Sequence, residues 1–467
     1  MNASLVDIAY LVAASLFVLG IKNLSKPRTA VRGNSMAATG MLIAIAVTLL
    51  DSKVLSFETI ALGFALGAVI GAVMAKKVQM TSMPQMVALL NGFGGLASLG
   101  VAAASYYETI QGNGFASGLV GSIALVAVAA TSLIGALTFT GSAVAFAKLQ
   151  ELMSGQSIGF PGMKLATGVL FAGSLVGIAL LVGNPAQEPL FLALIGAALL
   201  LGVFLVLPIG GADMPVVIAL LNSYSGIAAA TAGFIMNNTM LIVAGSLVGA
   251  SGLILTQIMC DAMNRSLTNV LFGLMAEGGE SVDADEIYDG KVKSSSADEV
   301  AMLLETAQRV VIVPGFGLAM AQAQHAVREL ADVMQKRGTE VVYAIHPVAG
   351  RMPGHMNVLL AEAEVPYEQM VEMDKVNPTF EQTDVAIVIG ANDVTNPMAR
   401  EDQGSPIYGM PILNVDKAKT VVVIKRSLSA GFAGLPNPLF AKDNTLMVFG
   451  DGKQAVVDLA SALNEAA

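Results

Sequence analysis

Residues 309–325, RVVIVPGFGLAMAQAQH, decide how the second half of the chain folds. Four β-branched residues precede a Gly-x-Gly turn, and a run with helical composition follows it. This order predicts a β-strand, a tight turn and a helix, which is the opening unit of a parallel α/β sheet. A pyrophosphate binds at such a turn in many of these folds, so the stretch also predicts a nucleotide site.

The residues before this unit are too apolar for an ordinary soluble domain. Over all 467 residues the chain is 55% hydrophobic and 13% charged, whereas a soluble protein is about 25% charged. About 20 apolar residues are enough to cross the ~30 Å hydrocarbon core of a bilayer. Nine stretches are predicted to do so, of which the second is short: 5–21, 35–50, 57–75, 84–106, 117–147, 165–183, 189–208, 215–236 and 240–262.

Lysine and arginine residues flank these predicted spans unevenly. They follow the first and third spans and flank the loop after the fifth, at Lys22, Lys26, Arg28, Arg32, Lys76, Lys77, Lys148 and Lys164. Because positive residues are enriched in cytoplasmic loops, the odd-numbered spans are expected to end in the cytoplasm. The N-terminus then lies outside, and nine spans place everything after Arg265 in the cytoplasm. We expect a multi-pass protein of a bacterial inner membrane.

Apolar strands alternate with helical stretches in the second half of the chain. The strands are RVVIV, EVVYAI, DVAIVI, TVVVIK and TLMVFG, and AMAQAQHAVRELADVMQK is a helical stretch between two of them. The predicted fold class is a membrane all-α bundle of about nine transmembrane helices, residues 1–264, followed by a linker, 265–300, and a soluble α/β Rossmann-like domain with a parallel sheet, 301–467. From Arg265 onward there are 16 Lys+Arg and 27 Asp+Glu, a net charge of −11, which disfavours nucleic acid as a partner.

Four polar residues in or beside the predicted spans are functional candidates, because polar groups in lipid are costly. Asn91 and Asn222 each lie eight residues into a span, which is ~12 Å deep. Ser142 lies in the fifth span, and Asp213 directly precedes the eighth. Hydrogen bonding between helices would also explain Asn91, Ser142 and Asn222, and Asp213 could simply cap a helix. The single cysteine, Cys260, excludes a disulfide within the chain, and we expect no metal site.

Residues at the ends of the predicted strands indicate which nucleotide binds. Gly315 and Gly317 start the first turn, although the last position of the usual G-x-G-x-x-G fingerprint is not glycine. His346 follows the second strand, where a site for NAD would have an acid for the ribose 2′-hydroxyl, so NAD bound in the usual way is disfavoured. Lys425 and Arg426 end a later strand and could bind a 2′-phosphate, but they could also be a solvated pair.

Three loops add candidates at the same edge of the sheet. GANDVTNP, residues 390–397, offers Asn392 and Asp393, and HPVAGRMPGH, residues 346–355, offers Arg351. The glycine-rich stretch SAGFAGLPNP, residues 429–438, could close over a bound ligand as a lid.

Long stretches of the sequence resemble the beta subunits of proton-translocating NAD(P)+ transhydrogenases. They are IGGADMPVV, LLNSYSG, AMNRS, PGFGLAMAQAQ, HPVAGRMPGHMNVLLAEA, IGANDVTNP, GMPIL and IKRSLSAGFAG, and together they run along nearly the whole chain. The resemblance implies a Re/Si-specific enzyme that transfers hydride from NADH to NADP+, coupled to proton movement into the cytoplasm. It also implies that this chain binds NADP(H), that one or two partner alpha subunits carry NAD(H), and that alpha–beta units form a homodimer in the lipid bilayer.

The resemblance assigns roles residue by residue. It places the proton path and coupling at Asn91, Ser142, Asp213 and Asn222. It places nucleotide contacts at Gly315, Phe316, Gly317, Val348, Gly350, Arg351, Gly390, Asn392, Asp393, Lys425, Arg426, Gly431, Phe432, Ala433 and Gly434. Two positions depart from the family pattern, since Asn91 stands where some members have histidine and Phe432 where many have tyrosine. The three histidines of this chain all lie in its second half.

Two other functions are compatible with a membrane bundle joined to a nucleotide fold. One is a transporter or channel gated by nucleotide, which would need a selectivity filter or rings of pore charge, and no TVGYG-like run is present. The other is a membrane dehydrogenase that reduces quinone.

Overall fold

The computed structural model describes residues 3–24, 27–50, 57–112, 119–272, 287–352, 354–405 and 407–465. Within these residues nine helices are long and apolar enough to cross a membrane, which confirms the predicted bundle. They are α1 (Ala3–Leu24), α2 (Pro27–Leu50), α3 (Phe57–Lys77), α4 (Met83–Gln111), α5 (Leu119–Leu149), α6 (Met163–Gly183), α7 (Glu188–Val206), α8 (Met214–Ile235) and α9 (Thr239–Ala262).

The prediction that the second span is short was wrong. Helix α2 has 24 residues and begins at Pro27, eight residues before the predicted start at position 35. Proline is well suited to the first position of a helix. The side chain of Arg32 in the second turn of this helix can extend to the membrane surface while its backbone stays helical. A hydropathy pattern reports the lipid-facing length of a helix and not its full length.

Helices of the bundle are held at close range by glycine. A Cβ added at Gly226 of α8 would lie 2.4 Å from the backbone nitrogen of Gly249 in α9, and one at Gly95 of α4 would lie 2.7 Å from the carbonyl oxygen of Gly135 in α5. Any larger residue would force these backbones apart. Most of α8 is buried, so this helix forms the centre of the bundle.

The soluble half contains a six-stranded parallel sheet in the order β3-β2-β1-β4-β5-β6. The five predicted strands are present, and the three-residue β3 was not predicted. The strands are β1 (Arg309–Pro314), β2 (Glu340–Ile345), β3 (Met370–Glu372), β4 (Val385–Ile389), β5 (Thr420–Lys425) and β6 (Thr445–Phe449). Alternate residues of β1 enter two different hydrophobic clusters. The sheet is therefore covered on both faces, as parallel sheets are.

The helix predicted after the glycine turn is divided in two. Helix α12 (Phe316–Met320) ends after five residues, and α13 (Gln324–Lys336) begins after a break. At the break Gln322 has a φ of +50°, while Leu318 and Ala323 on either side are fully buried. The single helix over this stretch was therefore wrong, because burying both apolar residues requires the chain to turn between them.

The other helices of the described residues cover the sheet or join the two halves. They are α10 (Leu267–Phe272), α11 (Ala297–Thr306), α14 (His355–Glu362), α15 (Met373–Val376), α16 (Met398–Glu401) and α17 (Gly452–Glu465). Residues 273–286 of the predicted linker lie outside the described part of the chain. Residues 287–300 already belong to the sheet domain, because Met447 N of β6 donates to Lys293 O and Ser295 N donates to Met447 O. Residues 267–272 instead pack in a hydrophobic cluster of the membrane half.

Loops after the strands contact the ends of the membrane helices. Gln322 Nε2 donates to Gln79 Oε1 at 2.6 Å, and Asn264 Nδ2 donates to Tyr408 O at 3.2 Å. The carboxyl edge of the sheet therefore faces the membrane half.

Candidate nucleotide-binding site

A cleft of about 410 Å³ opens at the carboxyl edge of the sheet. It lies around β1 and β4, where the strand order reverses direction, and ligands of open α/β sheets bind at such a point. Its volume is in the usual range for small-molecule sites. The residues that line it include Gly315, Phe316, Gly317, Val348, Gly350, Gly390, Asn392, Asp393, Lys425, Gly431, Phe432 and Ala433. Of the nucleotide contacts that the resemblance assigned, Arg351, Arg426 and Gly434 are not among the lining residues.

Three glycines of this cleft are required by contacts between backbones. A Cβ at Gly390 would lie 2.3 Å from Gly317 Cα, and one at Gly315 would lie 2.3 Å from Ala391 Cα. Gly390 also has a φ of +62°. The turns after β1 and β4 therefore pack directly on each other, and Gly317 N donates to Gly390 O at 2.9 Å. The glycines have a structural reason in addition to any close approach of a ligand.

The glycine-rich stretch after β5 is held against Asp393. Ala433 N donates to Asp393 Oδ2 at 3.0 Å, and Asp393 Oδ1 is buried with no hydrogen-bond partner among the described residues. Burial raises the pKa of Asp393, while hydrogen bonds from Ala433 and Phe432 and the charge of Lys425 oppose that rise. This carboxyl retains one free oxygen that could accept a hydrogen bond from a ligand.

Asn437 fixes the base of the same stretch. Its side-chain nitrogen donates to both the backbone and the side-chain oxygen of Asn392, at 3.1 and 3.0 Å. Asn392 Nδ2 remains buried without a partner among the described residues. Asn437 was not predicted as a site residue, although it stands in the quoted stretch SAGFAGLPNP.

The two neighbouring cations lie in different environments. Lys425 lines the cleft, and burial lowers its pKa while the charge of Asp393 opposes that effect. Arg426 instead pairs with Asp451 at 3.2 Å, and 68% of its side chain is exposed. The structure therefore places one cation of the pair in the cleft and the other in a solvated ion pair.

His346 does not face the cleft as a ligand group would. It is 1% exposed, and its Nδ1 accepts a hydrogen bond from Val348 N at 3.2 Å while Nε2 lies 2.8 Å from Pro411 O. Burial lowers the pKa of His346 to about 4. A neutral imidazole bonded on both nitrogens shapes the loop that carries Val348. Asp393 is the one carboxylate among the described lining residues, and it follows β4 and not β2.

The membrane half contributes one wall of the cleft. Met263 and Arg265, which follow α9, are lining residues, and Arg265 NH1 pairs with Asp213 Oδ2 at 3.2 Å. Asp213 is 2% exposed, its Oδ1 has no partner among the described residues, and its side chain makes no helix cap. Burial raises the pKa of Asp213, and Arg265 opposes this. Arg265 was not predicted as a site residue; the motif AMNRS that contains it was the available signal.

The other predicted membrane residues lie on three helices that pack together. Asn91 Nδ2 of α4 donates to Ile218 O of α8 at 3.3 Å, so a hydrogen bond between helices explains this buried amide. Ser142 of α5 is fully buried, has no partner for its hydroxyl among the described residues, and lines a cavity of about 100 Å³. Asn222 is partly buried on α8. It lies nine residues from Asp213, or ~13 Å along the helix, so these two side chains are not in contact.

Lys148, one of the cations that flank the predicted spans, is only 3% exposed. Its ammonium donates to Gln156 O, Leu207 O and Ile209 O at 3.0, 2.6 and 2.7 Å. The acceptors lie in the loop after α5 and in the segment that leads to Asp213. A buried ammonium needs such partners, and here it fixes the end of α5 to that segment.

The residues present suit a phosphorylated dinucleotide. Phosphates bind where backbone turns approach closely and cations are near, and the cleft combines its glycine turns with Lys425 and Arg265. Asn392 Nδ2 and Asp393 Oδ1, which have no partner among the residues that the structure describes, belong to residues that line the cleft and could bond a ligand.

Fold and cleft together define a class, a multi-pass membrane protein with a Rossmann-like sheet domain. A family model described as NAD(P) transhydrogenase beta subunit matches residues 6–462. Two curated relatives named NAD(P) transhydrogenase subunit beta, from Rhodospirillum rubrum and from its strain ATCC 11170, are each 49% identical over 465 residues, covering 99% of this chain and 100% of the relative. The chain belongs to the NAD(P) transhydrogenase beta subunit family. This confirms the resemblance and favours transhydrogenase over a channel or a quinone reductase.

Proposed function

We propose that this chain is the NADP(H)-binding, proton-translocating subunit of an NAD(P)+ transhydrogenase. It would accept hydride from NADH held by a partner alpha subunit, with Re/Si specificity, and couple that step to proton movement into the cytoplasm. One observation carries the proposal: the cleft at the sheet edge is completed by Arg265, which follows the last membrane helix and pairs with Asp213.

The residues of the cleft favour a 2′-phosphorylated ligand. Lys425 is a cation at the carboxyl end of β5, an interior strand beside β4, where a phosphate would be bound. The loop after β2 presents His346, already bonded to the backbone, and no described acid there would accept a ribose 2′-hydroxyl. The glycine turns of Gly315 and Gly390 would allow phosphate to approach the backbone.

The second nucleotide must come from another chain. Hydride transfer requires the two nicotinamides to lie roughly 3–3.5 Å apart, and the described residues form one cleft of this kind. The nicotinamide rings carry out the redox step, while the protein orients them and excludes water. We place NAD(H) on the alpha subunit and the reaction at the interface, in a homodimer of alpha–beta units.

The Asp213–Arg265 pair is the proposed coupling element. Protonation of Asp213 would remove the partner of Arg265 and change the charge presented to a phosphate in the cleft. The raised pKa of Asp213 supports this role. Asn91, Ser142 and Asn222 would form the proton path with water, because residues 1–264 contain no histidine. The sheet domain contacts the ends of α3, α5 and α9, which supports a common cytoplasmic side for the odd-numbered helices.

Replacing Asn222 tests the proposed path in vesicles that contain this chain and its alpha subunit. Proton uptake and NADPH formation from NADH are measured together. Asn222→Ala is expected to reduce proton movement by about tenfold with NADPH still bound, since a polar position in lipid would be lost. Unimpaired coupling would exclude Asn222 from the path.

A further inference from the structure

The side chain of Arg351 leaves the cleft and contacts the membrane half. Its NH1 donates to Leu149 O at 2.8 Å, and its NH2 pairs with Glu151 Oε1 at 3.1 Å. Leu149 is the last residue of α5, so its carbonyl lacks a partner within the helix, and it also accepts Gln85 Nε2 of α4 at 3.2 Å. A guanidinium presents several donors in fixed geometry, so it can bond both acceptors at once.

The other face of the same guanidinium covers the aromatic residues of the cleft. Arg351 Cζ lies 4.2 Å from the ring centroid of Phe316 and 5.6 Å from that of Phe432. The two rings lie 5.4 Å apart, one after β1 and the other in the stretch that lies over Asp393, and both line the cleft. Cation–π contact holds a guanidinium against such rings. One side chain thus joins both rings to the end of a membrane helix.

The backbone beneath Arg351 is fixed by a buried histidine. Arg351 N donates to Nδ1 of His355 at 3.1 Å, and His355 is fully buried. Gly350 has a φ of +109°, and a Cβ there would lie 2.5 Å from the same nitrogen. The loop has little freedom, so the guanidinium is held at the boundary between the two halves.

We propose that Arg351 is a positioning residue through which the end of α5 holds Phe432 closed over the cleft, with Glu151 and the Leu149 carbonyl as its membrane-half acceptors. This proposal rests on the proposed function for the identity of the ligand. It adds a contact between α5, the helix that contains Ser142, and the glycine-rich lid of residues 429–438. A shift of the α5 end withdraws Arg351 from the rings and lets the lid open.

The rate of NADPH release from the purified full-length chain tests this. Protein loaded with NADPH is mixed with excess NADP+, and the loss of bound-NADPH fluorescence is followed. Glu151→Gln keeps the size of the side chain and removes its charge, and is expected to speed release about threefold, as for an exposed ion pair. Arg351→Met is expected to speed it about tenfold or more, because the charged hydrogen bonds and ring contacts are also lost. Arg351→Lys should restore part of the slow rate.

Glu340→Gln is the matched control. Glu340 pairs with Arg309 at 3.0 Å, with 58% of its side chain exposed compared with 67% for Glu151, but it lies at the opposite end of the strands. Its replacement should leave the release rate unchanged. Because Glu151 lies outside the sheet domain, an effect of Glu151→Gln cannot come from misfolding of that domain.

Cross-linking gives a second readout of the same contact. Gln79 and Gln322 meet across the boundary, and the single native cysteine, Cys260, is buried. Gln79→Cys with Gln322→Cys, treated with a short bis-maleimide, should cross-link in the parent and about threefold less with Arg351→Met. The proposal would be overturned if Arg351→Met and Glu151→Gln both had the NADPH release rate and the cross-linking yield of the parent protein. It would also be overturned if only Arg351→Met changed the release rate, because Arg351 would then contact the nucleotide itself. If NADPH does not bind, the proposed function fails and the cross-linking yield alone decides the docking contact.

Discussion

The cleft has two walls of different construction. The wall from the sheet domain is fixed by backbone contacts, with Gly317 and Gly390 packed against each other and His346 bonded on both nitrogens. The wall from the membrane half depends on one ion pair between Arg265 and a buried Asp213, whose Oδ1 has no hydrogen-bond partner in the described part of the chain. A rigid wall sets affinity, whereas a wall that depends on a single titratable pair can respond to protonation. Binding and control are therefore expected to separate by mutation.

Gly390→Ala should break the rigid wall and have the largest effect. The added methyl would lie 2.3 Å from Gly317 Cα, so the turns after β1 and β4 must separate, at a cost of about 3 kcal/mol. NADPH binding should weaken by about 100-fold. Gly338→Ala is the control, because Gly338 has a φ of +93° but a Cβ added there would have no described atom within 4 Å. This change should cost only about 1 kcal/mol. Calorimetry and chemical unfolding check both, and equal effects would contradict the packing argument.

The wall from the sheet domain should also lose stability in acid. The pKa of His346 is lowered to about 4 when folded, whereas the unfolded chain binds this proton below about 6.5. The contribution of neutral His346 to the free energy of unfolding is therefore fully present above about pH 6.5. It is lost as the pH decreases toward 4, and the loss is about 3 kcal/mol. His355, whose pKa is also lowered to about 4, adds a decrease of the same sign.

Unfolding of the full chain by urea at pH 7 and pH 5 measures this slope. His346→Gln should reduce this slope by about half, because His355 contributes the other half, and it should lower stability at pH 7. An unchanged slope would show that His346 is protonated at its ordinary pKa in the folded protein.

Two neighbouring cations test which side chains belong to the cleft wall of the sheet domain. Lys425→Met should lower the affinity for NADPH by about tenfold and leave NADH nearly unaffected, because a charged hydrogen bond to phosphate is lost. Arg426→Met should change NADPH affinity by less than about threefold, since Arg426 is outside the cleft and paired with Asp451. Parallel titrations with both nucleotides distinguish the two, and a larger loss in Arg426→Met would reverse the assignment.

Asp213→Asn should have a small effect on affinity and the clearest effect on pH dependence. The pKa of Asp213 is raised in the folded protein, and its protonation frees Arg265 to bind phosphate. NADPH affinity of the parent should thus rise as pH falls, by about threefold to fivefold, and Asp213→Asn should retain the higher affinity at all pH values. Identical pH profiles of NADPH affinity in the parent and in Asp213→Asn would show that the Asp213–Arg265 pair does not affect binding.

Sequence patterns predicted the elements better than their contacts. Nine apolar stretches predicted the bundle, and β-branched runs separated by helical stretches predicted five strands. Burial in lipid or in a sheet requires such residues locally. The split between α12 and α13 could not be predicted in this way, since it depends on burying Leu318 and Ala323 against the sheet. The length of α2 was missed because hydropathy does not report helix outside lipid.

The candidate site divides in the same manner. Motifs placed Gly315, Gly317, Asn392, Asp393 and Lys425, all of which line one cleft. Residues whose partners lie far along the chain were not predicted from local motifs, as with Arg265 and Lys148. Asp213 lies 52 residues before Arg265, and two of the three carbonyls that bind Lys148 lie 59 and 61 residues after it. No local pattern reports such pairs.

Affinity of the purified full-length chain for NADPH and NADH, measured by calorimetry at one pH, tests the central claim most directly. We predict at least about tenfold tighter binding of NADPH, corresponding to ~1.4 kcal/mol, and loss of that preference in Lys425→Met. Equal affinities for the two nucleotides in the parent chain would contradict a cleft built for the 2′-phosphate.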